Sequence, residues 1–249
     1  MSGHSKWSKI KRKKGAADAK RSKLFSKLIK DITIAVKEGG NDVDSNPRLR
    51  LAITNAKGVS MPKDNILRAI KKGEDKNTGN YEELNYEGYA PHGIAIFLEC
   101  TTDNTQRTVA NVRMIFNKYH GSLGKNGSLS FIFDRKGIFN FALGDRDIDE
   151  IELEIIDAGA EDIEVEDGQV TITTAMEDFG TMMKKLEEMN IEPESAELQR
   201  VPITTEKLSV EDAKKVLKMI DAFEEDDDIA NVFHNLEMTE ELEEALAEE

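Results

Sequence analysis

The sequence predicts an α+β multidomain protein, with an N-terminal three-helix bundle followed by two ferredoxin-like α/β sandwich domains, one inserted in the other. Three observations carry this. Apolar residues recur at helical spacing from Leu24 to about residue 70 and then give way to strand-like runs. From about residue 94 on, strands and helices alternate in two successive groups. A last helix and strand are left over after the second group, and they are what the first group lacks. At 249 residues the chain is long enough for two or three small domains.

Residues 2–23 have little apolar content and no period, and read as an extended arm that turns helical near Ala16. Leu24, Phe25, Leu28, Ile29, Ile32, Ala35 and Val36 then mark the buried stripe of a first helix, ending at Gly39-Gly40, where glycine permits a left-handed cap. Asn46-Pro47 supplies an N-cap and a first-turn proline for a second helix, with Leu49, Ala52, Ile53 and Ala56 inward. Ser60 and Pro62 open a third, with Ile66, Leu67 and Ile70 inward and Lys71-Lys72 at its negative end.

The polar stretch 74–80 reads as a linker. Residues 94–100 form a buried strand, and Val109, Val112, Ile115 and Phe116 give the helix that follows its apolar face. Strands are expected at 129–133 and 137–141. A second unit opens near Asp147 with a helix bearing Ile151, Leu153, Ile155 and Ile156. A hairpin turns at Asp167-Gly168. A helix with Phe179, Met182, Met183, Leu186 and Met189 comes next, then a strand at 196–201. The helix 210–223 and strand 229–236 return to the first sheet. The expected domains are residues 1–77, residues 78–144 with 203–240, and an insert at 145–202.

Charge is unevenly spread. Residues 1–72 hold 19 Lys/Arg against 6 Asp/Glu, while the remainder holds 15 against 43. One basic interaction region on an acidic body is the footprint of nucleic-acid binding, confined to the basic end because the rest repels phosphate. The lone Cys100 excludes an internal disulfide and a cysteine metal cluster, and suits a reducing compartment such as the cytoplasm. No run reaches the roughly 18 apolar residues that a membrane helix needs, and the polar start carries no secretory signal.

The candidate nucleic-acid contacts are Lys6, Trp7, Lys9, Lys11, Arg12, Lys13, Lys14, Lys20, Arg21, Lys23 and Lys27, joined by Arg48, Arg50, Lys63 and Arg68 of the bundle. Dense cations are rewarded through counterion release, and the indole of Trp7 can stack on a splayed base. The blander reading is a solubilising arm with Trp7 docked on its own domain and a solvated bundle face. Tyr86 to Gly93, punctuated by glycine and proline and bearing two aromatics, reads as a structural turn, with a contact loop as the alternative. The glycine-rich loop 121–128 lacks the Gly-Lys-Ser/Thr ending of a P-loop and precedes a strand, which argues against nucleotide binding. His4, His92, His120 and His234 lie far apart in sequence, and Asp103, Arg107 and Arg113 read as cap or surface residues, so no catalytic set, metal site or cofactor is expected.

Several motifs together resemble the YebC/PmpR-type family. They are Ser2-Gly-His-Ser-Lys-Trp7, Lys20-Arg21, Phe25-Ser-Lys-Leu-Ile29, Asn46-Pro-Arg-Leu-Arg50, Met61-Pro-Lys-Asp64, Arg68-Ala-Ile70, Tyr86-Glu-Gly-Tyr-Ala-Pro-His-Gly93, Asp103-Asn104 with Arg107-Thr108, and the stretch 121–133. Family loops usually show His-Gly-Gly or Cys-Gly-Gly where this chain has Tyr119-His120-Gly121. The resemblance spans essentially the whole chain and implies three domains, one helical and two α/β. Bacterial members are labelled probable DNA-binding transcriptional regulators, some relatives are described as ribosome-associated, and the related mitochondrial protein is a translational activator of a cytochrome oxidase subunit. None of these is known as an enzyme. The resemblance thus implies a DNA-binding transcriptional regulator in the cytoplasm. A ribosome-associated factor binding ribosomal, transfer or messenger RNA is the alternative, and an enzyme using an interdomain cleft a third. No helix repeats Asn, Gln or Arg along one exposed face, which keeps the RNA reading close.

Overall fold

The computed structural model describes residues 17–75 and 79–247, with side chains from Arg21 onward. Among them are eight α-helices and two four-stranded antiparallel sheets. Chain contacts divide the protein into two compact units. Among the described residues, one holds 17–24, 79–134 and 201–247, the other 25–75 and 135–200.

In the second unit, the apolar stripes of α1 (Ala17–Gly39), α2 (Pro47–Gly58) and α3 (Lys63–Glu74) meet in a core of Leu28, Ile32, Val36, Leu49, Ala56 and Ile66. Asn46 caps α2 as the sequence predicts. Its Oδ1 accepts the Leu49 amide at 3.0 Å, and its Nδ2 donates to the carbonyls of Ala35 and Gly40, tying the cap to the end of α1. Gly40 adopts φ +84° just past α1. Helices α1 and α3 approach so closely that a Cβ on Gly73 would lie 2.6 Å from Val36 Cβ. Two residues expected inward are not. Leu67 is 51% exposed and Leu24 37%, because each lies just off its buried stripe, where periodicity alone draws the boundary too wide.

The same unit contains β4 (Phe133–Ala142, from Arg135 on), α5 (Ile148–Asp157), β5 (Ala160–Glu166), β6 (Gln169–Ala175), α6 (Phe179–Glu188) and β7 (Ser195–Pro202, to Arg200). The strand order is β5-β6-β4-β7, reached in the chain order β-α-β-β-α-β of the split β-α-β sandwich. Phe139, Phe141, Val170 and Ile172 on one sheet face meet Ile155, Met182 and Leu186 of the helices. Asp167 (φ +51°) and Gly168 (φ +76°) make the two-residue hairpin, the mirror-image turn that matches strand twist. Leu153 and Ile156, expected inward, are 72% and 48% exposed.

Helix α2 lies along edge strand β7. The Asn55 amide imitates a neighbouring strand there, its Nδ2 donating to the Ala196 carbonyl at 3.1 Å and its Oδ1 accepting the Ala196 amide at 2.9 Å. This satisfies backbone groups that an edge strand otherwise exposes. Lys57 pairs with Glu192 at 3.1 Å, and a Cβ on Gly58 would strike the Glu194 carbonyl at 1.7 Å.

In the first unit, β1 (Glu82–Tyr89), β2 (Ala95–Thr102), β3 (Ser122–Leu123) and β8 (Ile229–His234) pair in the order β3-β1-β2-β8, every neighbour antiparallel. Strand β2 is buried on both faces, hence its near-continuous apolar run. Ile94, Ile96 and Leu98 pack toward α4 (Thr105–Lys118) and α7 (Val210–Glu224), whose Phe116 and Phe223 meet edge-to-face at 5.0 Å. Leu242 and Leu246 of α8 (Glu240–Ala247) close the same core. On the opposite face Leu129 and Phe133 cover Phe97 and Phe233.

Three strand expectations need correction. The segment Tyr86–Tyr89, read as part of a turn, belongs to β1; only the following residues turn, with His92 and Gly93 at positive φ. Residues 129–132 form turns rather than a strand. The strand expected at 137–141 is β4, and it pairs with β6 instead of joining the first sheet. Local pattern identifies a strand but not its partner, so the boundary expected at residue 144 falls beyond a strand that belongs to the second sheet.

Candidate nucleic-acid interface

Lys6, Trp7, Lys9, Lys11, Arg12, Lys13 and Lys14 lie outside the described residues, and Lys20 is placed only by the backbone of α1. Positions 20, 23, 27 and 30 fall within about 80° of arc on α1 at 100° per residue, on the far side from Phe25, Leu28 and Ile32. Sequence spacing therefore makes a lysine stripe opposite the buried stripe. Arg21 and Lys23 are exposed and Lys27 is half-buried. Lys23 Nζ donates to the Glu225 carbonyl.

The bundle cations divide by what they touch. Arg48 pairs with Glu38 at 2.5 Å. The Arg50 guanidinium donates to the carbonyls of Val43 and Asp44, at 3.3 and 2.7 Å, and braces the α1–α2 loop. Arg68 reaches back along its own helix to the Asp64 carbonyl at 3.2 Å and to the Asn65 side chain. Lys63, Arg68, Lys71 and Lys72 are all exposed on α3, with Leu67 among them, opposite the buried Ile66, Ala69 and Gly73. A four-residue connection, 59–62, separates α2 from α3. The short connection and the outward basic face of the second helix are two features that α2 and α3 share with a helix-turn-helix. That face was hidden in the sequence because Leu67 read as core. Its exposure is what turns a mixed pattern into a cationic surface.

The glycine-rich loop is held by a residue the sequence reading passed over. Glu87 on β1 is buried, and its carboxylate accepts the amides of Gly127 at 2.7 Å and Leu129 at 2.6 Å, while its carbonyl accepts the Gly124 amide at 2.7 Å. Gly127 takes φ +86° to present its amide. The donors that would cradle a phosphate are thus spent on an internal carboxylate. An acidic residue facing inward on a strand, followed forty residues later by a glycine-rich loop, was the only signal available.

Asp103 and Arg107, read from the sequence as cap or surface residues, belong to a brace built around a buried acid, Asp228. The buried Asp228 carboxylate accepts from the Arg107 guanidinium at 2.8 Å and from the Thr108 hydroxyl at 3.0 Å, and Asp103 takes the same guanidinium at 2.8 Å. The hydrogen bonds that its guanidinium donates to Asp103 and Asp228 raise the Arg107 pKa above its ordinary value. Asn104 caps α4 by accepting the Arg107 amide at 3.0 Å. Burial pushes the Tyr86 phenol up. No group of three His, Cys, Asp or Glu side chains suited to a metal occurs among the described residues, and none of their helices is long and apolar enough to cross a membrane.

Two family models match the chain: the TACO1/YebC protein N-terminal domain over residues 5–76, and the TACO1/YebC second and third domain over residues 81–236. A "probable transcriptional regulatory protein" of Amoebophilus asiaticus is 53% identical over 95% of this chain and 98% of its own length. One of Chlorobaculum parvum is 49% identical over 100% of both. The crystal structure of a conserved hypothetical protein of Aquifex aeolicus superposes with a TM-score of 0.79 at 41% identity, covering 90% of this chain and 93% of that one. The chain belongs to the TACO1/YebC family.

Proposed function

We propose that this chain is a non-enzymatic, DNA-binding transcriptional regulatory protein of the cytoplasm, holding the DNA backbone through its basic arm and helical bundle. The observation that carries the reading is α3, joined to α2 by four residues as in a helix-turn-helix, with Lys63, Arg68, Lys71 and Lys72 exposed on it. In such motifs the second helix enters the major groove while neighbouring cations fix register on phosphates. The lysine stripe of α1 and the arm supply that backbone charge. The names of the relatives support regulation rather than catalysis. We further read the chain as three domains, one helical, one discontinuous α/β domain built on the β1-β2 sheet, and one α/β domain inserted in it; the strand pairing supports this division.

The test is selection of duplex sites from a random pool by the full chain, followed by titration of selected and random duplex at near-physiological salt. A preference on the order of 10³ for the selected site supports the proposal. A ratio near one, with co-sedimentation on ribosomes that Trp7→Ala weakens, overturns it in favour of an RNA-binding translation factor.

A further inference from the structure

Residues 147–167 hold 11 carboxylates in 21 positions and no Lys or Arg. They build α5, the hairpin turn and edge strand β5. Within this acidic surface Leu153 and Ile156 stand 72% and 48% exposed. At a spacing of three they are neighbours on the helix surface, with Glu152 and Asp157 flanking them in sequence. An exposed isoleucine and leucine in so charged a setting are not needed for the core, which α5 supplies through Ile155. Such a surface suits a partner whose cations alternate with a few apolar side chains.

The chain carries one segment of that chemistry. In the arm, Lys6, Lys9, Lys11, Arg12, Lys13 and Lys14 surround two apolar residues, Trp7 and Ile10. The two sequences are opposite in charge, and each sets two apolar residues among its charges. We propose that the α5 surface is a docking site for the basic arm of a second copy of this chain. The contact is heterologous, arm to acidic face, so it links copies head to tail. Resting on the reading that the arm binds DNA, it also limits that binding, because one arm cannot hold both surfaces at once.

The experiment follows sedimentation of the full-length protein at low salt across concentration, then with added peptide of residues 1–16 or duplex DNA. Wild type should self-associate reversibly, and excess peptide should dissolve the assembly. Leu153→Ser with Ile156→Ser, and separately Glu150→Gln with Glu152→Gln and Asp157→Asn, should weaken association about tenfold or more. These positions are exposed or lie on the outer helix surface, so unchanged circular dichroism is expected. Neutralising Glu240, Glu241 and Glu244 removes equal charge from α8 and should leave association intact. A wild type monomeric throughout, or equal loss from the α8 control, overturns the proposal. Persistence of the assembly in the α5 variants does the same. The two readings separate cleanly. Self-association that responds as expected, in a protein that binds no DNA, keeps the docking site and sinks the DNA reading; DNA binding without self-association does the reverse. Duplex that binds yet leaves the assembly whole refutes the competition.

Discussion

The two sheets have the same spatial plan but reach it by different chain orders. The second runs β4-α5-β5-β6-α6-β7, with each helix crossing over one intervening strand. The first begins with a hairpin, β1-β2, crosses through α4 to the two-residue β3, and is completed only when α7 and β8 return after the second sheet. The second is therefore closed within one stretch of chain, while the first depends on residues more than 120 positions apart, as in the pairing of Phe97 with Phe233. The contrast locates where the chain can be cut and where it cannot.

The largest effect expected concerns that boundary. Excising residues 135–200 with a short turn in their place should leave a cooperatively unfolding protein, because all four strands of the first sheet remain. Excising 145–202 instead leaves the apolar face of β4, Phe139 and Phe141, with neither β6 nor β7 beside it. That version should aggregate or lose cooperativity in thermal unfolding. Equal behaviour of both excisions would erase the distinction between the sheets.

Side-chain truncations sharpen it next. Phe139, buried completely in the second sheet and stacked on Phe179 at 4.8 Å, should cost about 3–5 kcal/mol as Phe139→Ala by denaturant unfolding. Phe131, 71% exposed beside the first sheet, should stay within about 0.5 kcal/mol as Phe131→Ala. A smaller pair compares how each sheet is finished. Glu87→Ala removes the acceptor for two amides of the loop beside the first sheet and should cost about 2–4 kcal/mol. Asn55→Ala unclasps the edge of the second and should cost about 1–2 kcal/mol, with hydrogen exchange at Ala196 accelerated. Equal, negligible costs would mean that neither device matters to its sheet.

Much of this was legible in the sequence because the signals are local. The Asn46-Pro47 cap, the Gly40 helix stop and the Asp167-Gly168 hairpin each depend on a few adjacent residues and a known backbone conformation. Strand β1 escaped notice because only Glu87 and Gly88 are fully buried in it, so it shows no alternation. Strand β4 was recognised as a strand yet given to the wrong sheet, since pairing is a non-local property. At the candidate interface, the basic residues were visible but their surroundings were not. Sequence could not tell that Arg50 spends its guanidinium on the carbonyls of Val43 and Asp44 while Leu67 turns outward among the cations of α3. Those are consequences of packing, and only packing separates structural arginines from a binding face.

On the proposed reading, α1 and α3 present the cations that hold nucleic acid. The salt dependence of duplex affinity tests this directly, comparing wild type with a protein carrying Lys23→Ala, Lys27→Ala, Lys63→Ala and Lys71→Ala. Each lost phosphate contact should reduce the slope of log affinity against log salt by about 0.9, so the four together should lower it by roughly 3–4. A control variant that removes three paired lysines, Lys136, Lys185 and Lys215, whose partners are Glu161, Glu154 and Asp212, should keep the wild-type slope. A slope unchanged by the first set, or reduced as much by the second, would contradict the assignment of the interface to these helices.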